Sequence, residues 1–250
     1  MEEHKLAEIT SRQGTGIGPL TPFPERGTRG FSFTRYATVM YAFETLGFPG
    51  DGASLLDLGC GTGWTSVFLA QRGFAVTGVD IVPANIEGAR VLASKWNVQV
   101  DFHIADLDYL DLAQTFDCAL IYNALHHTTR QRAVLEAIRR HLKPGGWLLI
   151  GEPSWLHRYS ANARATTEGK GWVERGLSMR ALRRDCRGAG FGRMRRYFEG
   201  THPASGLREL GWQALRLAGM PFSTSPGAMI WLAAQTGMDY ERPSVPFVRA

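Results

Sequence analysis

The chain has 250 residues, of which 44% are hydrophobic and 20% are charged, and its formal net charge is +5. This composition is typical of a globular protein and excludes a disordered, collagen-like or coiled-coil chain. The longest apolar run near the C-terminus covers residues 228–234 and is far shorter than the ~20 residues that a membrane-spanning helix needs.

Short apolar runs and amphipathic segments alternate from residue 31 to residue 151. The pattern predicts helices at 31–47, 64–72, 83–95 and 130–141. It predicts strands at 53–58, 75–79, 98–104, 118–122 and 147–151. Strands that alternate with helices of this length form βαβ units, so we expect a parallel sheet with helices on both faces.

Beyond residue 152 the alternation becomes less regular. Ser178 is a suitable N-cap for a helix that follows it. The predicted elements are an irregular insertion at 153–176, a helix at 178–188, strands at 193–198 and 228–235, and a helix at 207–218 between these strands.

The sharpest motif is Leu55-Leu-Asp-Leu-Gly-Cys-Gly-Thr-Gly63, in which a buried strand ends in three alternating glycines. Such a loop lets the backbone approach a ligand closely at the carboxyl end of a sheet. A dinucleotide fingerprint would need a third glycine at the position of Trp64, and Asp57 suits a cationic ligand better than a pyrophosphate. The motif resembles that of class I S-adenosylmethionine-dependent methyltransferases, in which an acidic residue precedes Gly-x-Gly-x-Gly.

The resemblance continues along the chain. It implies that Asp80, at the end of the second strand, accepts hydrogen bonds from the ribose hydroxyls. It also implies that an aspartate after the third strand meets the adenine amino group. Asp106 is the candidate, with Asp108 and Asp111 as nearby alternatives. Asn123 would lie near the methionine end. The turn and strand over 142–150 also match the family. The implied S-adenosylmethionine site comprises Asp57, Gly59, Cys60, Gly61, Asp80, Ile81, Asp106, Leu107 and Asn123.

The same resemblance implies a single α/β domain over residues 1–250, three-layered and doubly wound, with a mostly parallel sheet of about seven strands. Within it we expect an N-terminal cap at 1–50, a cofactor-binding core at 51–152, and insertions at 153–177 and 201–226. Substrate choice is expected to depend on the insertions, since a shared cofactor fold supplies no specificity.

Three residues are candidates for the base that a hydroxyl or amine acceptor needs. His126 and His127 follow the fourth strand, and Glu152 follows the fifth. The alternative for the histidines is that one shields the cofactor while the other packs against or caps the next helix. The alternative for Glu152 is a helix cap or an ion pair with an arginine.

Basic residues are concentrated in the second part of the chain. Residues 151–250 contain 15 Lys and Arg against 8 Asp and Glu, whereas residues 1–150 contain 13 against 15. The predicted helix at 178–188 carries four arginines at helical spacing, which could grip a phosphate or form a solvated outer face. These four belong to an arginine run of eight residues, which are Arg175, Arg180, Arg183, Arg184, Arg187, Arg193, Arg195 and Arg196.

Two further observations bear on compartment and metal. Cys60, Cys118 and Cys186 lack the spacing of a disulfide framework or a structural zinc, so no metal is expected. The first residues lack the basic start and apolar segment of a signal peptide, which predicts a cytoplasmic protein.

The sequence therefore predicts methyl transfer from S-adenosylmethionine to a small-molecule or glycan acceptor, with oxygen favoured as the methylated atom. One competing hypothesis is methylation of RNA or another phosphate-bearing substrate through the basic run, although nucleic acid is not favoured because few aromatic residues interleave with the arginines. A non-catalytic S-adenosylmethionine-binding protein is a second hypothesis, and a nicotinamide enzyme, against which Trp64 argues, is a third. The oligomeric state is left open.

Overall fold

The computed structural model describes residues 3–13, 33–170, 176–197 and 229–237. Its strands are β1 (Ser54–Leu58), β2 (Ala75–Asp80), β3 (Asp101–Ile104), β4 (Phe116–Tyr122), β5 (Leu142–Pro153), β6 (Phe191–Tyr197) and β7 (Met229–Thr236). Its α-helices are α1 (Glu3–Gln13), α2 (Phe33–Thr45), α3 (Trp64–Gln71), α4 (Pro83–Lys95), α5 (Gln131–Arg140), α6 (Ala161–Lys170) and α7 (Met179–Gly188). None of the helices described is long and apolar enough to cross a membrane.

The seven strands form one sheet in the order β3-β2-β1-β4-β5-β7-β6. The strands from β1 to β5 are parallel, and β7 runs antiparallel to both β5 and β6. This topology confirms the predicted doubly wound α/β class. The strand order reverses between β1 and β4, and in open α/β sheets such a switch point opens a crevice at the carboxyl ends of the strands.

The sheet is buried on both faces because its central strands carry apolar side chains in both directions. Along β1, Leu55 packs into a cluster that includes Phe43 of α2 and Leu69 of α3. Leu56 and Leu58 point the other way, into a cluster with α5 and α7. Neighbouring residues of a strand face opposite sides, so a continuous apolar run is what a sheet covered on both faces requires.

The elements predicted over 31–151 are confirmed apart from small shifts at their ends. The largest difference concerns residues 142–146, which were expected to end a helix and form a turn. Leu142 already pairs with Phe116, and Trp147 pairs with Cys118, so the residues between them form a bulge inside β5. Gly146 fits there because an added Cβ would lie 2.9 Å from the carbonyl oxygen of Asp117.

The insertion expected to be irregular contains helices instead. Residues 155–159 form a 3₁₀ helix, and α6 follows directly. The hydroxyl of Ser160 accepts a hydrogen bond from the N–H of Ala163 at 3.1 Å, so it caps α6. The sequence signal that the prediction missed is this serine in front of Ala161-Asn-Ala-Arg-Ala165, where the alanines and the arginine favour a helix.

The later predictions divide into those confirmed and those that the described residues do not cover. Helix α7 and its cap are confirmed, since the hydroxyl of Ser178 accepts from the N–H of Ala181 at 3.1 Å. The final strand pair is confirmed as β6 and β7. The helix predicted at 207–218 and the whole insertion at 201–226 lie outside the described residues.

A buried contact between β5 and β7 lies next to the carboxyl end of β4. The fully buried ring of Trp231 lies over Gly151 and stacks on Tyr122, with ring centroids 5.6 Å apart. An added Cβ at Gly151 would come within 2.3 Å of that ring. The position therefore has room for glycine alone while Trp231 keeps its place.

We expect Gly151→Ala to lower the free energy of unfolding by roughly 1–3 kcal/mol, because overpacking forces the indole of Trp231 to move. Urea titration followed by circular dichroism measures this effect. The matched control is Gly192→Ala in β6, where an added Cβ meets no atom within 4 Å. Equal stabilities for the two variants would contradict the crowding at Gly151.

Candidate cofactor-binding and active site

A cavity of about 260 Å³ opens at the carboxyl ends of β1, β2 and β4, next to the strand-order reversal. Eight of the nine residues predicted to surround the cofactor line this cavity. They are Gly59, Cys60, Gly61, Asp80, Ile81, Asp106, Leu107 and Asn123. The residues of the glycine motif, the second strand end and the fourth strand end thus meet at one place, as the chain order of the motifs predicts.

The glycine loop is fixed by the end of the neighbouring strand. The N–H groups of Gly59 and Cys60 both donate to the carbonyl oxygen of Val79, at 2.8 and 2.9 Å. Gly59 has a φ of 69°, and a Cβ there would lie 2.4 Å from the Cβ of Ala124. Gly61 has a φ of 55°, which also favours glycine, and borders the cavity. At these two glycines the loop therefore places backbone atoms, without a side chain, next to the cavity.

Asp80 is held by three donors at the edge of this loop. Its Oδ2 accepts from the N–H of Gly61 at 2.9 Å, and its Oδ1 accepts from the N–H of Val82 at 2.9 Å and from Nδ2 of Asn85 at 3.0 Å. A carboxylate offers about four acceptor positions. Asp80 is thus fixed in orientation and keeps capacity to accept from a ligand in the cavity that it lines.

Asp57 is the predicted residue that the structure places elsewhere. Its carboxylate does not line the cavity but points beneath the loop, where the hydroxyls of Thr65 and Ser66 each donate to Oδ2 at 2.6 Å. Burial raises the pKa of Asp57 to about 6, against the opposing effect of the two hydroxyl donors. The carboxylate lies at the N-terminus of α3, where a negative charge is favourable. Its role in this structure is to hold the start of α3 against the loop.

Asp106 lines the cavity after β3 and is paired with a residue from the beginning of the chain. Its Oδ1 accepts from the N–H of Asp108 at 3.0 Å, which caps the short 3₁₀ helix at 107–109. Nζ of Lys5 in α1 lies 2.8 Å from both carboxylate oxygens of Asp106. Lys5 also lines the cavity. No local motif pointed to this lysine, because it lies 101 positions away in a separate helix.

Glu152 organises the segment that follows β4. Its carboxylate is fully buried and accepts from the backbone N–H groups of Ala124 at 3.0 Å, Leu125 at 2.8 Å and His126 at 3.3 Å. It also lies 2.7 Å from Nδ1 of His126. The predicted alternative of an ion pair with an arginine is therefore not what the structure shows.

The three candidate bases occupy different positions. His126 is buried against Glu152, whereas His127 lines the cavity beside Asn123. The two imidazole rings lie 3.9 Å apart between centroids. Of the three, His127 is the one that borders the space where a ligand can bind, while His126 and Glu152 lie behind it.

The far wall of the cavity is aromatic, and the sequence motifs did not predict it. Trp64 and Tyr122 line the cavity and meet edge to face, with centroids 5.7 Å apart. Tyr36 of α2 packs on Trp64 at 4.8 Å, and Arg35 donates to the hydroxyl of Tyr122 at 3.3 Å. The position of Tyr122 beside Asn123, at a strand end, is the signal that could have indicated it. This wall suits a planar or apolar ligand portion.

The arginine run does not form one surface at the cavity. Arg180, Arg184 and Arg187 are exposed on α7, while Arg195 on β6 donates to the carbonyl oxygen of Thr45 and lies over the ring of Trp147. Of the described residues that line the cavity, none is an arginine. Arg175, the first of the eight arginines, lies outside the described part of the chain.

The sheet topology is that of the Rossmann-like methyltransferase fold. Residues 55–146 match the sequence model of a family described as a methyltransferase domain. Among curated proteins, the chain is 39% identical over 103 residues to a ubiquinone biosynthesis O-methyltransferase of Paramagnetospirillum magneticum, covering 41% of each chain. It is 34% identical over 126 residues to the protein of the same name from Xanthomonas oryzae, covering 50% of this chain and 52% of that one. The chain thus spans about half the length of these relatives, or less.

Solved structures agree on the fold. The S-adenosylmethionine-dependent methyltransferase of Mesorhizobium loti matches 81% of this chain and 99% of its own, with a TM-score of 0.61 and 18% identity. The magnesium protoporphyrin IX methyltransferase of Synechocystis, solved with bound S-adenosylmethionine, matches 95% of this chain and 99% of its own, with a TM-score of 0.61 and 17% identity. At this identity the likeness concerns the fold alone.

The raised pKa of Asp57 predicts a pH-dependent stability. Because the folded state binds the proton more tightly than the unfolded chain, Asp57 lowers stability as pH rises from about 4 to about 6. Relative to wild type, Asp57→Asn should therefore gain up to about 3 kcal/mol of unfolding free energy between pH 4 and pH 7. Urea titrations of both proteins at several pH values measure the difference.

Asp117→Asn is the control, because its stability relative to wild type should change with pH in the opposite direction. Burial disfavours the charge of Asp117, but hydrogen bonds from Lys143 and Ser54 lower its pKa overall. Asp117 therefore contributes stability that is present above its unfolded pKa and lost as pH falls, so the variant should lose stability relative to wild type as pH rises. If the difference in unfolding free energy between Asp57→Asn and wild type does not vary with pH, the pKa of Asp57 is not raised in the folded state.

Proposed function

We propose that this protein transfers a methyl group from S-adenosylmethionine to an oxygen atom of a small-molecule acceptor. The observation that carries the proposal is the Asp80 carboxylate, fixed at the edge of a bare-backbone glycine loop and bordering the cavity. The match of residues 55–146 to the methyltransferase domain family supports it.

The groups around the cavity can be assigned to the ribose, the adenine and the methionine portion of S-adenosylmethionine. Asp80 would accept from the vicinal ribose hydroxyls, since a carboxylate can take two donors at once. Asp106 would accept from the adenine amino group, with Leu107 against the ring. The backbone of Gly59 to Gly61 and Asn123 would border the methionine portion.

The chemistry that S-adenosylmethionine supplies when bound is a methyl group on a positively charged sulfur, which is a good leaving group. The protein's part is to hold the acceptor in line with the methyl carbon and to exclude water. A hydroxyl acceptor must also lose its proton, and His127 is the candidate base that borders the cavity.

We assign Glu152 and His126 a positioning role. Glu152 gathers three consecutive backbone N–H groups and the ring of His126, so it fixes the segment that carries His127. A carboxylate with this many donors inside the core cannot also serve as a solvent-exposed base. His126 transmits this support because its ring lies directly against that of His127.

Two observations favour an oxygen atom of a small molecule. The relatives with 34–39% identity are named O-methyltransferases. The cavity wall of Trp64 and Tyr122 suits a flat or apolar acceptor. A phosphate-bearing acceptor, such as RNA, would be expected to meet arginines at the cavity, and the described lining residues include none.

Asp80→Asn should weaken the binding of S-adenosylhomocysteine at least ~10-fold, because each ~1.4 kcal/mol of lost hydrogen bonding costs a factor of ten in affinity. Isothermal titration calorimetry measures the dissociation constants. Asp51→Asn, at an exposed loop carboxylate before β1, is the control and should bind as wild type does. Failure of the wild type to bind either S-adenosylmethionine or S-adenosylhomocysteine would sink the proposed function.

Transfer of a labelled methyl group tests the acceptor class. With tritiated S-adenosylmethionine and extracts of the source cells, label should enter the small-molecule fraction rather than RNA or protein. His127→Gln should keep its affinity for S-adenosylhomocysteine but transfer label ~100-fold more slowly, as expected for loss of a general base. His103→Gln, at an exposed histidine paired with Asp101, should match wild type.

Different results of this assay would favour different functions. Label in the RNA fraction would favour a phosphate-bearing substrate. Binding of S-adenosylmethionine without transfer to any fraction would favour a non-catalytic binding protein. Equal transfer by wild type and His127→Gln would remove His127 as the base.

A further inference from the structure

The N-terminal helix α1 contributes a buried cation to the cavity. Lys5 is only 7% exposed, and its Nζ bonds Asp106 and the neighbouring Asp108. The same ammonium group lies 5.6 Å from the ring centroid of Tyr109. Helix α1 also contacts α4, which follows Asp80, and α6 of the insertion. One lysine therefore joins the beginning of the chain to the segment after β3.

The charges make this contact stronger than a surface ion pair. The side chain of Asp108 is 1% exposed and that of Lys5 is 9% exposed, so both are largely removed from water. Burial lowers the pKa of Lys5, but the bonds and charges of Asp106 and Asp108 outweigh it and raise the pKa overall. Separating the ammonium group from the carboxylates would leave buried charge without compensation, which is strongly unfavourable.

The acceptor capacity of Asp106 allows the lysine and a ligand to bind together. One of its about four acceptor positions takes the N–H of Asp108, and Lys5 takes one on each oxygen. One position remains at the cavity that Asp106 lines. With one ammonium group against two carboxylates, the cluster keeps a net negative charge, which suits the amino group of an adenine.

We propose that Lys5 is a positioning residue that fastens α1 across the adenine end of the cavity and thereby slows the release of the bound nucleoside. The inference rests on the proposed function, since it takes S-adenosylmethionine and S-adenosylhomocysteine as the ligands. Lys5 holds Asp106 in the orientation that accepts the adenine amino group. It also ties that carboxylate to a helix that contacts α6 of the insertion.

The dissociation rate of S-adenosylhomocysteine tests this role. Stopped-flow displacement followed by tryptophan fluorescence is suitable, because Trp64 lines the cavity. Lys5→Met keeps the aliphatic stem and removes the charge, and it should raise the dissociation rate about 10-fold with a smaller change in the association rate. Lys5→Arg should restore a rate close to wild type. Lys143→Met, which breaks the exposed Lys143–Asp117 pair of 2.8 Å, should leave the rate unchanged.

A second variant separates the ion-pair cluster from direct contact with the ligand. Asp108 bonds Lys5 but does not line the cavity. Asp108→Asn should therefore also speed dissociation, and the double variant with Lys5→Met should be no faster than Lys5→Met alone. Additive effects of the two substitutions would contradict a shared cluster.

The outcomes distinguish this inference from the proposed function. Wild-type protein that fails to bind S-adenosylhomocysteine overturns both. Wild-type binding with an unchanged dissociation rate in Lys5→Met overturns the role of Lys5 alone, even if thermal unfolding shows that the variant is less stable. Faster dissociation in Lys5→Met with rescue by Lys5→Arg supports it, because a merely structural loss would lower stability without this kinetic pattern.

Discussion

A carboxylate buried in a protein must gather hydrogen-bond donors, and the carboxyl edge of this sheet is organised by that requirement. Asp80 collects donors from the glycine loop and the start of α4. Glu152 collects those of residues 124–126, and Asp57 collects two hydroxyls at the start of α3. Each carboxylate lies in or beside the sheet, so each fastens a loop to the rigid part of the fold.

These hydrogen bonds explain how the loops around the cavity keep a fixed conformation. The segments around the cavity are short connections whose backbone donors face the ends of strands. Because their N–H groups bind fixed carboxylates, the loops have few alternative conformations, and a ligand need not order them on binding. The left-handed backbone of Asn123, with a φ of 54°, fits this pattern, since its N–H donates to the carbonyl oxygen of Gly151. The site thus depends on the same hydrogen bonds that close the sheet's edge.

The parts of this structure that could be predicted from sequence are those with local signals. The glycine motif, the acidic ends of the second and third strands and the Ser178 cap are each written in a few consecutive residues. The orientation of Asp57 could not be predicted, because a motif does not tell which side of a loop a carboxylate faces, and here two hydroxyls at the start of the next helix donate to it. Lys5 was missed because its partners are distant in sequence, and the bulge at 143–146 because a turn motif inside a strand looks like the end of one.

The family match covers part of the site but not the segments that support it. The match covers residues 55–146, which contain the glycine loop, Asp80, Asp106 and the two histidines. It ends before Glu152 and the insertion with α6, and it begins after α1 and α2, which bring Lys5 and Tyr36 to the site. The residues that would hold the methyl donor lie mostly inside the match, as do Trp64 and Tyr122 of the aromatic wall. Lys5, Tyr36 and Glu152 lie outside the match and contact residues inside it. A substitution in those outer segments would therefore act on the site through Asp106, Trp64 or residues 124–126.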